Sequence, residues 1–271
     1  MTSRSLGPTS SYLLSTIAER GEKILTVTGA QRVLGTSPKA TAFLLHDLAN
    51  KGWLRRLERG KYLILPLEAG MSGHYTEHEF IIASGLVSPY YIGYWTALNH
   101  YGYTEQFAAT IFVATPKRKL RVRTGGVNYR FVNLSQAKFF GWRGESLEGH
   151  SFIISDREKT VLDCLDRPDL CGGIAEAVKG LWYGFQQKEL DTGRINSYIE
   201  RMGNGTLLKR MGYLCEVLQL DLAPSIEDWR GRLPQGMSLL DPSLPAAGRY
   251  NSRWRLRLNV AERELVAWRE S

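Results

Sequence analysis

Residues 37–66, SPKATAFLLHDLANKGWLRRLERGKYLILP, decide the reading of this chain. Ser37 is suited to cap a helix, and Pro38 takes the first helical position, where a missing N–H costs nothing. The helix is predicted to run to about Lys51 and stop at Gly52. Two short apolar-alternating runs follow, Trp53–Leu57 and Lys61–Leu65. Glu58-Arg59-Gly60 joins them as a tight turn in which Gly supplies positive φ. Pro66, which lacks an N–H donor, ends the ladder.

Upstream lie two shorter helical segments. Ser10 or Ser11 is placed to cap the first, which carries Tyr12, Leu13, Leu14 and Ile17 and stops at Gly21. Thr26 or Thr28 caps the second, which ends at Gly35. Helix, helix, short turn, helix, hairpin is the order of a winged helix-turn-helix. In such a fold the second helix of the pair meets base edges in the major groove. A helical wheel puts Ala40, Leu44 and Leu48 on the packed stripe and Lys39, Phe43, His46 and Asn50 opposite. The DNA-facing set is therefore Ser37, Lys39, Phe43 and His46. Arg55, Arg56, Arg59 and Lys61 of the hairpin join it as phosphate or minor-groove contacts.

Charge agrees with a polyanionic partner. The 271 residues hold 35 Lys and Arg against 27 Asp and Glu, a net +8. Residues 1–70 alone carry ten basic and five acidic side chains. A surplus of this sign favours nucleic acid, acidic protein faces or anionic lipid without choosing among them.

Beyond residue 70 the expectation is a larger mixed α/β domain, residues 71–271, with a helical C-terminal part. The whole is thus α+β. Helices are predicted at about 76–85 and 95–101. Strands are predicted at 90–92, 110–114, 127–132, 137–142 and 150–154, followed by helical spacing from Val161 to Leu218. The stretch from Ala223 to Arg249 reads as irregular, and Trp254–Val260 as a late strand closing the sheet. Between Glu105 and Glu145 no acid occurs, while eight Lys and Arg do. Lys117, Arg118, Lys119, Arg121 and Arg123 form a second basic surface within it. The interleaved aromatics, Tyr129, Phe131, Phe139, Phe140 and Trp142, read mainly as core.

Enzyme signatures are absent: no phosphate-cradling Gly loop, no HExxH and no GxSxG. Asp156, Glu158 and Lys159 could be arranged as a metal-dependent nuclease, but Asp156 fits a helix cap better. His74 and His78, four apart, read as surface residues rather than metal ligands. Cys164, Cys171 and Cys215 lack metal spacing and read as reduced structural thiols. No cofactor is expected. No apolar run reaches the roughly 18–20 residues of a membrane span, and the N-terminus lacks a signal-peptide core, so the expected location is cytoplasmic.

Several stretches together resemble the AbiEi antitoxin family, regulators from bacterial abortive-infection operons. They are Lys51–Tyr62, Tyr94–Gln106 (YWTALNHYGYTEQ), Lys138–Gly141 (KFFG) and Ser155–Asp163 (SDREKTVLD), then Arg167-Pro168 and Gly172-Gly173. The resemblance implies a non-enzymatic, DNA-binding repressor of its own operon, the antitoxin of a type IV toxin–antitoxin system in phage defence. It also implies a functional link to a nucleotidyltransferase-like toxin, with or without direct contact. Operator DNA is the implied partner, with the chain a monomer or homodimer. The alternative is a non-catalytic module that grips the toxin or its RNA substrate through the basic surface. From the residues themselves, the EKTxLD stretch reads as structural: Val161 and Leu162 face a core, while Glu158, Lys159 and Asp163 can make helix-spaced pairs worth a few tenths of a kcal/mol.

Overall fold

A computed structural model describes residues 5–69, 75, 77–106, 109–147 and 149–269. The chain begins with α1 (Pro8–Glu19), β1 (Ile24–Thr26), α2 (Val27–Leu34) and α3 (Pro38–Asn50). The hairpin β2 (Leu54–Glu58) and β3 (Lys61–Ile64) completes this region. Gly7, not Ser10 or Ser11, precedes α1. Ser10 is buried within the helix because Pro8 already occupies the first turn. Thr26 caps α2 by accepting the Gly29 N–H at 2.9 Å, and Gly35 ends it at φ +64°.

β1 was not anticipated. It pairs antiparallel with β3, giving a three-stranded sheet in the order β1-β3-β2. Side chains alternate across such a sheet, and here each face meets a different core. Leu25, Leu54 and Tyr62 pack with Leu13, Ile17, Leu45 and Leu48 of the N-terminal helices. Leu57, Leu63 and Leu65 instead join the core of the rest of the chain.

That larger part is α4 (Glu79–Leu86), β4 (Tyr91–Ile92), α5 (Tyr94–His100), β5 (Thr110–Thr115), β6 (Val122–Thr124), β7 (Val127–Asn133), β8 (Trp142–Leu147) and β9 (His150–Ser155). The helices α6 (Arg157–Asp166), α7 (Ile174–Gln186), α8 (Thr192–Met202), α9 (Gly205–Val217) and α10 (Ala223–Gly231) follow. The six strands form one mixed sheet, β6-β7-β5-β4-β9-β8. Parallel pairs join β5 to β7 and β4 to β9. A separate small sheet holds β10 (Ser238–Leu239), β11 (Arg249–Asn251) and β12 (Leu256–Leu258), before α11 (Glu262–Val266). The architecture is α+β, a helix-turn-helix-like region followed by a larger α/β part.

Four local expectations are corrected. Residues 137–142 are not a strand: Gln136–Lys138 is a 3₁₀ turn, and only Trp142 begins β8. Consecutive Phe139 and Phe140 are both buried, each against a different neighbour. Phe139 stacks on Tyr91 and Phe140 meets the edge of Tyr198. Gly141, at φ +69°, lies against the Lys159 side chain, where a Cβ would come within 2.9 Å. The late strand joins the small sheet rather than closing the main one. Residues 223–249 contain α10 and β10 rather than only irregular chain. The helix expected from about Thr76 starts at Glu79, because the His78 ring accepts the Phe80 N–H and caps it. Thr76 and His74 lie outside the described residues.

The EKTxLD helix, α6, is buried. Asp156 caps it through the Lys159 N–H at 2.8 Å. Lys159 and Asp163 form an ion pair in the core, with Lys159 0% exposed, and Tyr91 donates its hydroxyl to Asp163 at 2.7 Å. Burial raises the Asp163 carboxyl pKa, against the opposing pull of the Lys159 ammonium. The helix-spaced pair expected from sequence is thus an enclosed one, with the Tyr91 and Phe140 rings 5.5 and 5.1 Å from the ammonium. All three cysteines are buried and unpaired with one another. Among the described residues no helix is long and apolar enough to cross a membrane.

Candidate nucleic-acid interface

The helix α3 owes its orientation to one apolar stripe. Thr41, Leu45 and Leu48 are buried, spaced i, i+4, i+7, and Leu44 is half-buried. The stripe is rotated from the expected one, since Ala40 is exposed. Thr41 accounts for the rotation. Its hydroxyl is satisfied by Ser37 O at 3.0 Å and by the Thr36 hydroxyl at 2.8 Å, so it can be buried without an orphaned polar group. Ser37 uses its own hydroxyl to accept the Ala40 N–H at 3.3 Å.

Lys39, Phe43, His46 and Asn50 are all exposed. Phe43 is 75% exposed, an unusual display for an aromatic ring that could have been turned inward. Asp47 pairs with Lys51 at 2.7 Å, so the acid on this helix is neutralised one turn on.

The hairpin follows directly. A register irregularity between Arg56 and Glu58 sets Glu58 opposite Lys61 and leaves Arg59-Gly60 as the turn, with Gly60 at φ +77°. The Gly60 carbonyl accepts the Val27 N–H at 3.1 Å, tying the hairpin tip to the start of α2. Arg56 and Arg59 are exposed, and Arg55 is half-buried. Lys61 is turned inward: its ammonium reaches the Leu86 carbonyl at the end of α4 and pairs with Glu58 at 3.1 Å.

Glu58 also reaches the second basic surface. Its other carboxylate oxygen lies 2.6 Å from the Lys119 ammonium, which in turn sits over the Phe131 ring at 5.2 Å. The hairpin edge β2 therefore lies beside the sheet edge β6, with one carboxylate holding a lysine from each side. Lys117, Arg118, Arg121 and Arg123 remain exposed. Neither Glu58 as a bridge nor the internal use of Lys61 and Lys119 was read from sequence. The one signal was that Glu58 is an isolated acid in a basic hairpin.

Across the same sheet, at the β8 edge, a cleft of about 510 Å³ is lined by Trp142, Arg143, Asp156, Arg157, Glu158, Glu189 and Arg194. Its arginines are matched internally: Arg143 to Glu145, Arg157 to Glu189 at 2.7 Å and Arg194 to Glu158 at 3.4 Å. Asp156 accepts the Tyr198 hydroxyl at 2.7 Å, yet burial still raises its carboxyl pKa. Lys159, the third member of the nuclease alternative, points away from this cleft into the core pair with Asp163. Asp156 and Glu158 act here as cap and helix-packing groups, with Glu158 accepting the Asp191 N–H at 2.9 Å.

The segment that carries α1 to β3 is the one that family comparison recognises. Residues 12–64 match the family described as transcriptional regulator, AbiEi antitoxin. The AbiEi match supports the resemblance seen in the sequence and a role as transcriptional regulator or antitoxin. It covers α1 from residue 12 onward, α2, α3, the hairpin and every candidate side chain from Ser37 to Lys61. No curated protein matches the chain in sequence. Among solved structures, the RV2827C protein from Mycobacterium tuberculosis is similar in fold at 15% identity. The match spans 100% of this chain and 97% of that one, with a TM-score of 0.66. The similarity therefore extends well past the AbiEi-matched segment, into the six-stranded sheet and the C-terminal helices.

Proposed function

We propose that this chain is a DNA-binding transcriptional repressor acting as the antitoxin of a type IV toxin–antitoxin operon in phage defence. Residues 1–70 serve as a winged helix-turn-helix and residues 71–271 as the antitoxin part. The observation that carries the reading is the exposed row Lys39, Phe43, His46 on a helix whose other side is packed. A hairpin presenting Arg56 and Arg59 follows immediately. That is the side-chain display a major-groove helix and its wing require. The chain acts in the cytoplasm on its own operator, and through that operon on a nucleotidyltransferase-like toxin.

Gel-shift titrations on duplex DNA from upstream of the operon test it. Retention at low salt should weaken steeply with salt. If five of the exposed cations reach phosphates, the slope of log K against log salt is about −4 to −5. Arg59→Ala weakens binding to all sequences, whereas Lys39→Ala and His46→Ala alter which sequence is preferred. Lack of retention at low salt removes the reading.

A second reading rests on the position of Lys117, Arg118, Arg121 and Arg123, exposed and outside the AbiEi-matched residues. In it the chain is a non-catalytic module gripping the toxin or its RNA substrate. Capture of the adjacent gene product that is lost when these four cations are replaced favours that reading.

A further inference from the structure

The segment between β5 and β6 displays its side chains in inverted order. Lys119 is turned inward, its ammonium held between Glu58 and the Phe131 ring, with 18% of its side chain exposed. Leu120, the next residue, stands 88% exposed, the most exposed large apolar side chain among the described residues. Burying apolar surface and solvating an ammonium would both favour the opposite arrangement. The backbone that enforces it is anchored: Thr115 donates its hydroxyl to Pro89 O at 2.7 Å and accepts the Lys117 N–H at 3.3 Å. After Leu120 the chain enters β6, which is paired to β7 through Val122 and Thr124. Leu120 therefore stands out from a fixed platform, and Lys117, Arg118, Arg121 and Arg123 are exposed around it.

An apolar side chain ringed by cations and lying beside a basic hairpin suits the minor groove of a DNA duplex. Proteins that deform DNA insert Leu, Phe, Ile, Met or Pro between base steps while flanking cations hold the phosphates. We infer that Leu120 is such a wedge: it enters the minor groove beside the segment read by α3 and partly unstacks one base step. The inference rests on the DNA-binding reading above and adds that the bound duplex is bent. The kink would fall in the range of about 20–90° known for inserted side chains. Sequence preference would then also arise at a step that α3 does not touch, because flexible pyrimidine–purine steps cost least to open.

The test uses the full chain and the upstream duplex, with 2-aminopurine placed at successive positions and dyes at the two ends. With the unaltered protein, fluorescence should rise at one base step only, and the end-to-end distance should shorten. Leu120→Ser should abolish both signals. Its affinity should fall less than about tenfold, because the phosphate contacts remain. Leu120→Phe should retain both. Leu120 is exposed and holds no other group, so a thermal melt of Leu120→Ser should match the parent. Binding without any fluorescence rise, or a rise that survives in Leu120→Ser, overturns the wedge and leaves the DNA reading standing. Failure of the unaltered protein to bind any duplex overturns both.

Discussion

Glu58 at the end of β2 holds Lys119 at 2.6 Å across 61 residues of sequence. The same carboxylate holds Lys61 at 3.1 Å. It joins two basic edges, so its removal should act in opposite directions on folding and on binding. Glu58→Gln is expected to lower stability by about 1 kcal/mol, the scale of partly exposed ion pairs. It should also tighten binding to any duplex and steepen the salt slope by about one. Paired melts and salt titrations check this, and unchanged binding would show that Lys61 and Lys119 stay out of reach of DNA.

The enclosed pair of Lys159 and Asp163 gives a sharper prediction. Lys159→Met leaves a carboxylate and a tyrosine hydroxyl without their cation, and should cost about 3–5 kcal/mol. With Lys159 gone, only the Tyr91 hydrogen bond still opposes the effect of burial on Asp163, so its carboxyl pKa should rise further. The double variant Lys159→Met, Asp163→Leu should recover much of the loss, since apolar replacement of a whole buried pair is often tolerated. Urea denaturation of the three proteins measures it.

Gly85 in α4 lies against Ile24 of β1, and a Cβ there would come within 2.2 Å of the Ile24 side chain. Ala normally improves a helix over Gly by about 1 kcal/mol. Here Gly85→Ala should instead destabilise by about 1–3 kcal/mol through overpacking. In an Ile24→Ala background the same change should be neutral or favourable. A thermodynamic cycle of the four proteins checks that the penalty belongs to this contact.

Acid sensitivity should draw on three carboxylates, Glu189, Glu145 and Asp169, the last held down by hydrogen bonds from Arg167. Glu189 is held below its ordinary value of 4.5 by the hydrogen bond from Arg157, opposed by burial and reinforced by the Tyr103 hydroxyl. At Glu145 burial opposes ionisation, but hydrogen bonds from Arg143 and His100 outweigh it and lower the carboxyl pKa. A depressed folded-state pKa adds stability above the unfolded value and loses it as pH falls through the folded one. Melting temperature should therefore drop below about pH 4.5, and Glu189→Gln should be less stable at neutral pH with a shallower acid limb. Melts from about pH 7 to pH 3 would show an unchanged limb if the Arg157 bond is immaterial.

The helix at Ser37 and the hairpin were legible because their signals are local: a cap, Pro38, Gly52, Gly60 and alternating apolar residues. The rotation of the α3 stripe was not. It depends on Thr41 finding two hydroxyl partners, whereas wheel analysis counts Thr as polar. Lys61 and Lys119 looked like free phosphate ligands, and only tertiary placement shows them shared by Glu58. Lys159 and Asp163 looked like a helix-spaced i, i+4 pair, and nothing in the spacing distinguishes a surface pair from an enclosed one. Phe139-Phe140 suggested a strand, and the 3₁₀ turn that sends the two rings to different neighbours left only Gly141 as a clue.

The hairpin is clasped from both sides, Tyr62 by the N-terminal helices and Leu63 by the core beyond. Cutting the chain after residue 70 would thus strip water-shy leucines at 57, 63 and 65 of their cover, leaving an isolated headpiece prone to self-association. Heating the intact protein should melt both halves in a single cooperative transition. A twist of the hairpin caused by bound DNA would be felt directly by the six-stranded sheet.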